Sequence, residues 1–215
     1  DSYESPTKVD LIPVQATLGK LRLTIKGVKK IPLVSLILAS DSSGTKGLVV
    51  DLAAWKGPEY ELPIGRYLFK QARFADGKGA ELLVLPHATL PMAVDVGPTE
   101  VAVLELGEPF HLVTTAGIDG NNLTVSGRHL HVQGRAGERY VRCLGEPMFG
   151  VEVAVKGFKS AELPAPTLEE VNTDWERLFY PMEAIFELKK AEKPLIELSL
   201  KKHAWFGKLS GEVRL

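Results

Sequence analysis

The chain has 215 residues, with 26 lysines and arginines against 27 aspartates and glutamates and a formal net charge of −1. So even a balance excludes the global field that gathers nucleic acid or an anionic membrane, and the lone Cys143 excludes an intramolecular disulfide framework or a thiolate metal cluster. No run approaches the roughly 20 apolar residues of a helical membrane span, and the length suits one large β domain or two sandwiches of about 100 residues each.

Residues 1–8 are polar and aperiodic, as in a frayed terminus, and a start at Asp1 without methionine fits a signal peptide removed before this numbering. Leu21, Leu23 and Ile25 then alternate with Arg22, Thr24 and Lys26, which predicts a half-buried strand. Residues 33–39 are almost continuously apolar, the pattern of a central strand covered on both faces. The strongest pattern follows: Pro63 and Gly65 make residues 62–66 a turn, and Tyr67 and Phe69 point to one face of the strand that leaves it. Ala72 and Phe74 are the next inward residues, so the alternation must slip near Lys70–Gln71, which predicts a β-bulge.

Strands and turns recur at intervals of about ten residues through residues 82–85, 91–96 and 101–106, a spacing that favours a sandwich or barrel over a βαβ fold. Asp119-Gly120-Asn121-Asn122 predicts a hairpin. Gly134 to Glu138 predicts a tight turn with an Arg135–Glu138 ion pair; an anion-binding reading lacks the ending and the strand-to-helix context of a phosphate loop. Near copies, Leu106-Gly107-Glu108-Pro109 and Leu144-Gly145-Glu146-Pro147, each close one strand and open another. One stretch breaks the rhythm. Thr167 with Glu170 has capping-box spacing, and Leu168, Val171, Trp175 and Leu178 form an apolar stripe, predicting a short helix over 168–179 that docks through Trp175. The expected fold is therefore all-β: tandem antiparallel β-sandwiches, residues 1–107 and 108–215, with one short helix in the C-terminal half.

Candidate chemistry is sparse. His129 and His131 share a strand face about 7 Å apart, close enough for one metal if His111 or Glu138 adds a third ligand, but with Gln133 on the same face and Arg128 and Arg135 flanking it a solvated polar face is the preferred reading. Cys143 beside Arg142 reads as packing. No hydrolase elbow, paired-cysteine motif or His-Glu-x-x-His occurs. Trp55, Tyr60 and Trp205 are candidates to stack on a sugar or anchor a protein partner, although each taken singly reads better as a core residue. No cofactor is expected, and oligomeric state is not encoded in any pattern found.

Leu62-Pro63-x-Gly65-x-Tyr67 is similar to the motif of the transthyretin-like sandwiches called carboxypeptidase regulatory-like domains. Leu106-Gly107-x-Pro109 together with Gly134-Arg135-Ala136-Gly137-Glu138-x-Tyr140 resembles uncharacterised secreted bacterial β proteins that carry such domains. The resemblance implies a non-catalytic, extracytoplasmic binding or accessory module with a protein or carbohydrate ligand. The alternative is a metal-dependent hydrolase on a β scaffold using the His129/His131 face.

Overall fold

The computed structural model describes residues 16–28, 31–41, 47–54, 57–79, 81–144, 150–155, 158, 161–164, 183–188, 194–203, 205–213 and 215. These are nearly all β. In chain order the strands are β1 (Leu18–Lys26), β2 (Leu33–Ser40), β3 (Val49–Asp51), β4 (Glu59–Pro63), β5 (Gly65–Ala75), β6 (Glu81–Leu85), β7 (Ala93–Val96) and β8 (Val101–Gly107). They continue as β9 (His111–Asp119), β10 (Asn122–Gln133), β11 (Arg139–Leu144), β12 (Gly150–Val155), β13 (Ala161–Pro164), β14 (Glu183–Glu187), β15 (Ile196–His203) and β16 (Gly207–Val213). The helical content among the described residues is a 3-10 turn, Leu52–Ala54, and the helix expected at 168–179 lies outside them.

Three sheets form. The smallest has the order β4-β1-β8, with β1 antiparallel to β4 and parallel to β8. The largest runs β14-β10-β11-β6-β5-β2-β3, with β7 on β5 and β9 on β10; the third is β13-β12-β15-β16. The position expected to divide the chain, residue 107, is crossed by one strand pair, β6 with β11, while β1 to β8 otherwise pair among themselves and β9 to β16 do likewise. A continuous apolar core runs through both halves, from Leu21, Leu36 and Tyr67 to Leu123, Val153 and Ile196.

The turn and bulge around β5 follow the sequence closely. Tyr67 is fully buried, and its hydroxyl donates to the Pro63 carbonyl at 2.8 Å, tying the strand to the turn that precedes it. Ile37 pairs with Gln71 and Leu38 with Phe69, so Lys70 is the extra residue, and Tyr67, Phe69, Ala72 and Phe74 all face inward. That is the predicted bulge. β2 lies between β5 and β3, but only one face is fully covered: Leu36 and Leu38 are buried while Val34 is 45% exposed. The apolar run is long because Ile37 and Ala39 are half-buried on the other face. Asp51 fastens β2 to the 3-10 turn by accepting from the Leu36 and Ala53 amides at 2.8 and 3.0 Å and from Ser35 Oγ at 2.8 Å. The Asp119–Asn122 hairpin closes with Gly120 and Asn121 between paired residues, and Gly120 takes a φ of +58°.

Candidate functional site

The two segments of the second resemblance meet in space around one carboxylate. In the β10–β11 hairpin Gln133 pairs with Arg139, leaving 134–138 as the connection, and Glu138 turns inward with no exposed surface. Its Oε1 accepts from the Gly107 amide at 2.6 Å and the Tyr140 hydroxyl at 2.9 Å, while Oε2 accepts from the Ala136 amide at 2.9 Å. The Arg135 amide returns a bond to the Gly107 carbonyl at 2.8 Å. Gly134 has to be glycine because the Glu138 carboxylate fills the space its Cβ would occupy.

The expected Arg135–Glu138 ion pair does not form. Arg135 reaches outward to Glu105 at 2.9 Å, whereas Glu138 is satisfied by neutral donors in the interior. Burial, reinforced by the Glu138 charge and hydrogen bond, pushes the Tyr140 hydroxyl far above the usual phenol range. The Tyr140 ring joins Phe110 and Phe206 in an edge-to-face cluster with centroids 5.0 to 5.5 Å apart. Contacts of this kind add about 0.5–1.5 kcal/mol per pair beyond burial. Such a carboxylate, with its lone pairs spent on fixed donors, acts as a structural anchor.

The histidine pair gathers no third ligand among the described residues. Between the pairs Ser126–Thr115 and His131–Val113 the residues 127–130 face Thr114 alone, yet burial still alternates beyond this irregularity, with Leu130 and Val132 buried and His129, His131 and Gln133 on the less buried side. His129 is exposed, with Nδ1 2.8 Å from Thr115 Oγ1; His131 is half-buried and its Nδ1–H donates to the His129 carbonyl at 2.7 Å. Of the expected third ligands, Glu138 is turned inward and His111 stands opposite Gln133. No group of three or more His, Cys, Asp or Glu able to hold a metal occurs among the described residues. The Cys143 backbone lies in β11 at a register shift, and its side chain falls outside what is described.

Desolvation, aided by the positive field of Arg139 and the neighbouring His129 and His87, lowers the His131 pKa, against a raising bond to the His129 carbonyl. The unfolded chain therefore takes a proton first. The stability that comes from keeping this ring neutral is present above the unfolded value of about 6.5 and is lost as pH falls toward the folded value. We expect the melting temperature to drop on acidification through about pH 6.5 and the drop to shrink in His131→Asn. Parallel profiles for the two proteins would show that the ring is not the group responsible.

The two described aromatic candidates, Tyr60 and Trp205, do not assemble a platform. Tyr60 is 8% exposed and belongs to the core; Trp205 is half-buried, packed on that core with its ring edge-on to His203. Trp55 lies outside the described residues. The large apolar side chains that are exposed are aliphatic: they include Leu90 at 64% and Val103 at 48%.

Those two line the same cleft of about 700 Å³, together with His87, Met92, Glu105 and Arg135. The 86–92 loop forming one wall is held in shape locally. His87 Nδ1 accepts from the Thr89 and Leu90 amides at 3.2 and 3.1 Å, and the His87 amide contacts Met92 Sδ at 3.4 Å. A second cleft of about 430 Å³ continues along β8 past Val101 and Ala102, bordered by Asp95 and Glu100.

No family model matches the chain, the carboxypeptidase regulatory-like domains included, and no curated protein does. Two solved structures are similar to it. One is a DUF3823 family protein from Bacteroides ovatus, with 11% identity over 90% of this chain and 97% of that one at a TM-score of 0.25. The other is a DUF3823 family protein from Bacteroides uniformis, with 7% identity over 93% and 98% of the two chains and the same TM-score of 0.25. Likeness at that level transfers no residue role.

Sequence reasoning missed Leu90, Val103 and His87. The exposed valine of β8 is indistinguishable from a core valine in an apolar run, and the cleft depends on how two sheets diverge.

Proposed function

We propose that the protein is a non-catalytic, extracytoplasmic accessory module whose ligand is another protein, bound along the cleft that contains Leu90 and Val103. The observation that carries this reading is the pairing of exposed aliphatic side chains in one concavity, beside an Arg135–Glu105 ion pair that supplies a polar rim. Exposed apolar side chains gathered in a groove mark interaction surfaces. A sugar platform would need exposed aromatic faces, and the described aromatics are in or against the core. The extracytoplasmic setting rests on the resemblance of the Gly134–Tyr140 segment. Screening the full chain against a glycan array and a peptide display library tests the reading. Peptide enrichment that Leu90→Asp abolishes supports it; saturable binding to a glycan, or turnover of one, overturns it.

The tandem sandwich arrangement is part of the same proposal: residues 1–107 make one unit and residues 108–215 the other, joined by β6–β11 pairing and by the Glu138 anchor. Residues 1–107 expressed alone should unfold cooperatively, at a lower midpoint than the full chain because β6 loses β11 and Gly107 loses its partners. A molten, dye-binding product would show that the halves form one cooperative unit.

A further inference from the structure

We propose that the outer edge of β8 receives an extended segment of the partner protein as an added β-strand, an inference that rests on the protein-ligand reading above. The phase of the β8 ladder is fixed at its end. The Glu108 amide donates to the Lys26 carbonyl at 3.1 Å, while both backbone groups of Gly107 turn the other way, to Glu138 at 2.6 Å and to the Arg135 amide at 2.8 Å. In a parallel ladder the direction alternates by residue, so Ala102, Leu104 and Leu106 bond to β1. The backbone groups of Val101, Val103 and Glu105 point away from it. No strand among the described residues pairs with that side of β8.

Edges of this kind are usually blunted by lysine, proline or a bulge. β8 reads Val-Ala-Val-Leu-Glu-Leu-Gly, with neither lysine nor proline, and its one charge, Glu105, is engaged by Arg135. Both clefts lie along this edge, the larger beside Val103 and Glu105 and the smaller beside Val101. The facing wall includes β7, which among the described residues pairs with β5 alone.

The recess selects the occupant. Two copies of this chain would each offer an edge set back between walls, and recessed edges cannot approach to the roughly 4.8 Å of a strand pair. A single extended chain can enter. Main-chain bonds supply affinity in such additions and alternate side-chain pockets supply specificity. Here Val103 and Leu90 provide an aliphatic pocket, and Glu100 borders the other cleft, in which Asp95 already faces Arg66 across the β5–β7 pair. The incoming strand should therefore present an aliphatic residue toward Val103 and a lysine or arginine toward Glu100.

The test uses the full chain and a random linear peptide display library, followed by synthetic versions of an enriched peptide N-methylated at alternate residues. One alternating set of methyl groups should lower affinity about tenfold or more while the other leaves it nearly unchanged. Val103→Pro, which removes an N–H outside the β1 ladder, should weaken binding comparably at an unchanged melting temperature. If that variant fails to fold, the methylation series on the parent chain decides. Binding indifferent to methylation of either set overturns strand addition alone, and so does a folded Val103→Pro that binds normally. A dimer that excludes the peptide assigns the edge to a second copy and also overturns it. Failure of any peptide to enrich overturns the protein-ligand reading and this inference together.

Discussion

Glu138→Ala should destabilise the chain by about 2–6 kcal/mol, because it leaves two buried donors without their acceptor. The substitution strands the Gly107 amide, the Ala136 amide and the Tyr140 hydroxyl, of which Gly107 and Tyr140 lie inside. A buried donor left unpaired costs about 1–3 kcal/mol. Water entering the vacated space relieves part of the sum. Tyr140→Phe removes one of the three bonds and should cost about 1 kcal/mol, which separates the carboxylate's role from that of the ring cluster. Glu138→Gln, matched in shape but presenting an amide donor, should fall between them. Urea unfolding followed by tryptophan fluorescence gives the order. A Glu138→Ala midpoint equivalent to within about 0.5 kcal/mol of the parent would deny the carboxylate its anchoring role.

Gly107→Ala is the second large effect. Gly107 holds a φ of +103°, and a Cβ there would overlap the Lys26 carbonyl of the adjacent strand. The left-handed conformation costs a non-glycine residue about 1–2 kcal/mol, and forcing strands apart adds about 1–3 kcal/mol. Gly120→Ala is the control, because Gly120 also has a positive φ, +58°, but nothing lies within 4 Å of its would-be Cβ. Gly107→Ala should therefore lose clearly more stability than Gly120→Ala. Equal losses would mean that the β1–β8 contact yields easily and that only conformation matters.

The local pattern was legible wherever side-chain period and turn chemistry act over a few residues. Tyr67, Phe69, Ala72 and Phe74 announced both the strand and its bulge, because a slip in a period of two has only one cause. Asp119 to Asn122 announced its hairpin for a similar reason. Long-range pairing was not legible. Nothing local says that β8 runs parallel to β1, or that Glu138 reaches back to Gly107. An exposed turn residue and a buried anchor look alike in Gly-Arg-Ala-Gly-Glu. The candidate site was less legible: His129 and His131 share the less buried strand face as their alternation with Leu130 and Val132 says, but nothing local says that Glu138, a candidate third ligand, turns inward. Tyr60 is core, the reading that its pattern favours over a ligand anchor.

The most direct test of an open β8 edge that takes a strand is amide hydrogen exchange, residue by residue, with and without an enriched peptide. In the free chain Val101, Val103 and Glu105 should exchange fast, while Ala102, Leu104 and Leu106 are protected by β1 and Gly107 by Glu138. Peptide should slow exchange at Val103 and at one or both of its alternating neighbours, leaving the β1-bonded set unchanged. Protection of Val101, Val103 and Glu105 already in the free chain, or no change there when peptide binds, would contradict the account.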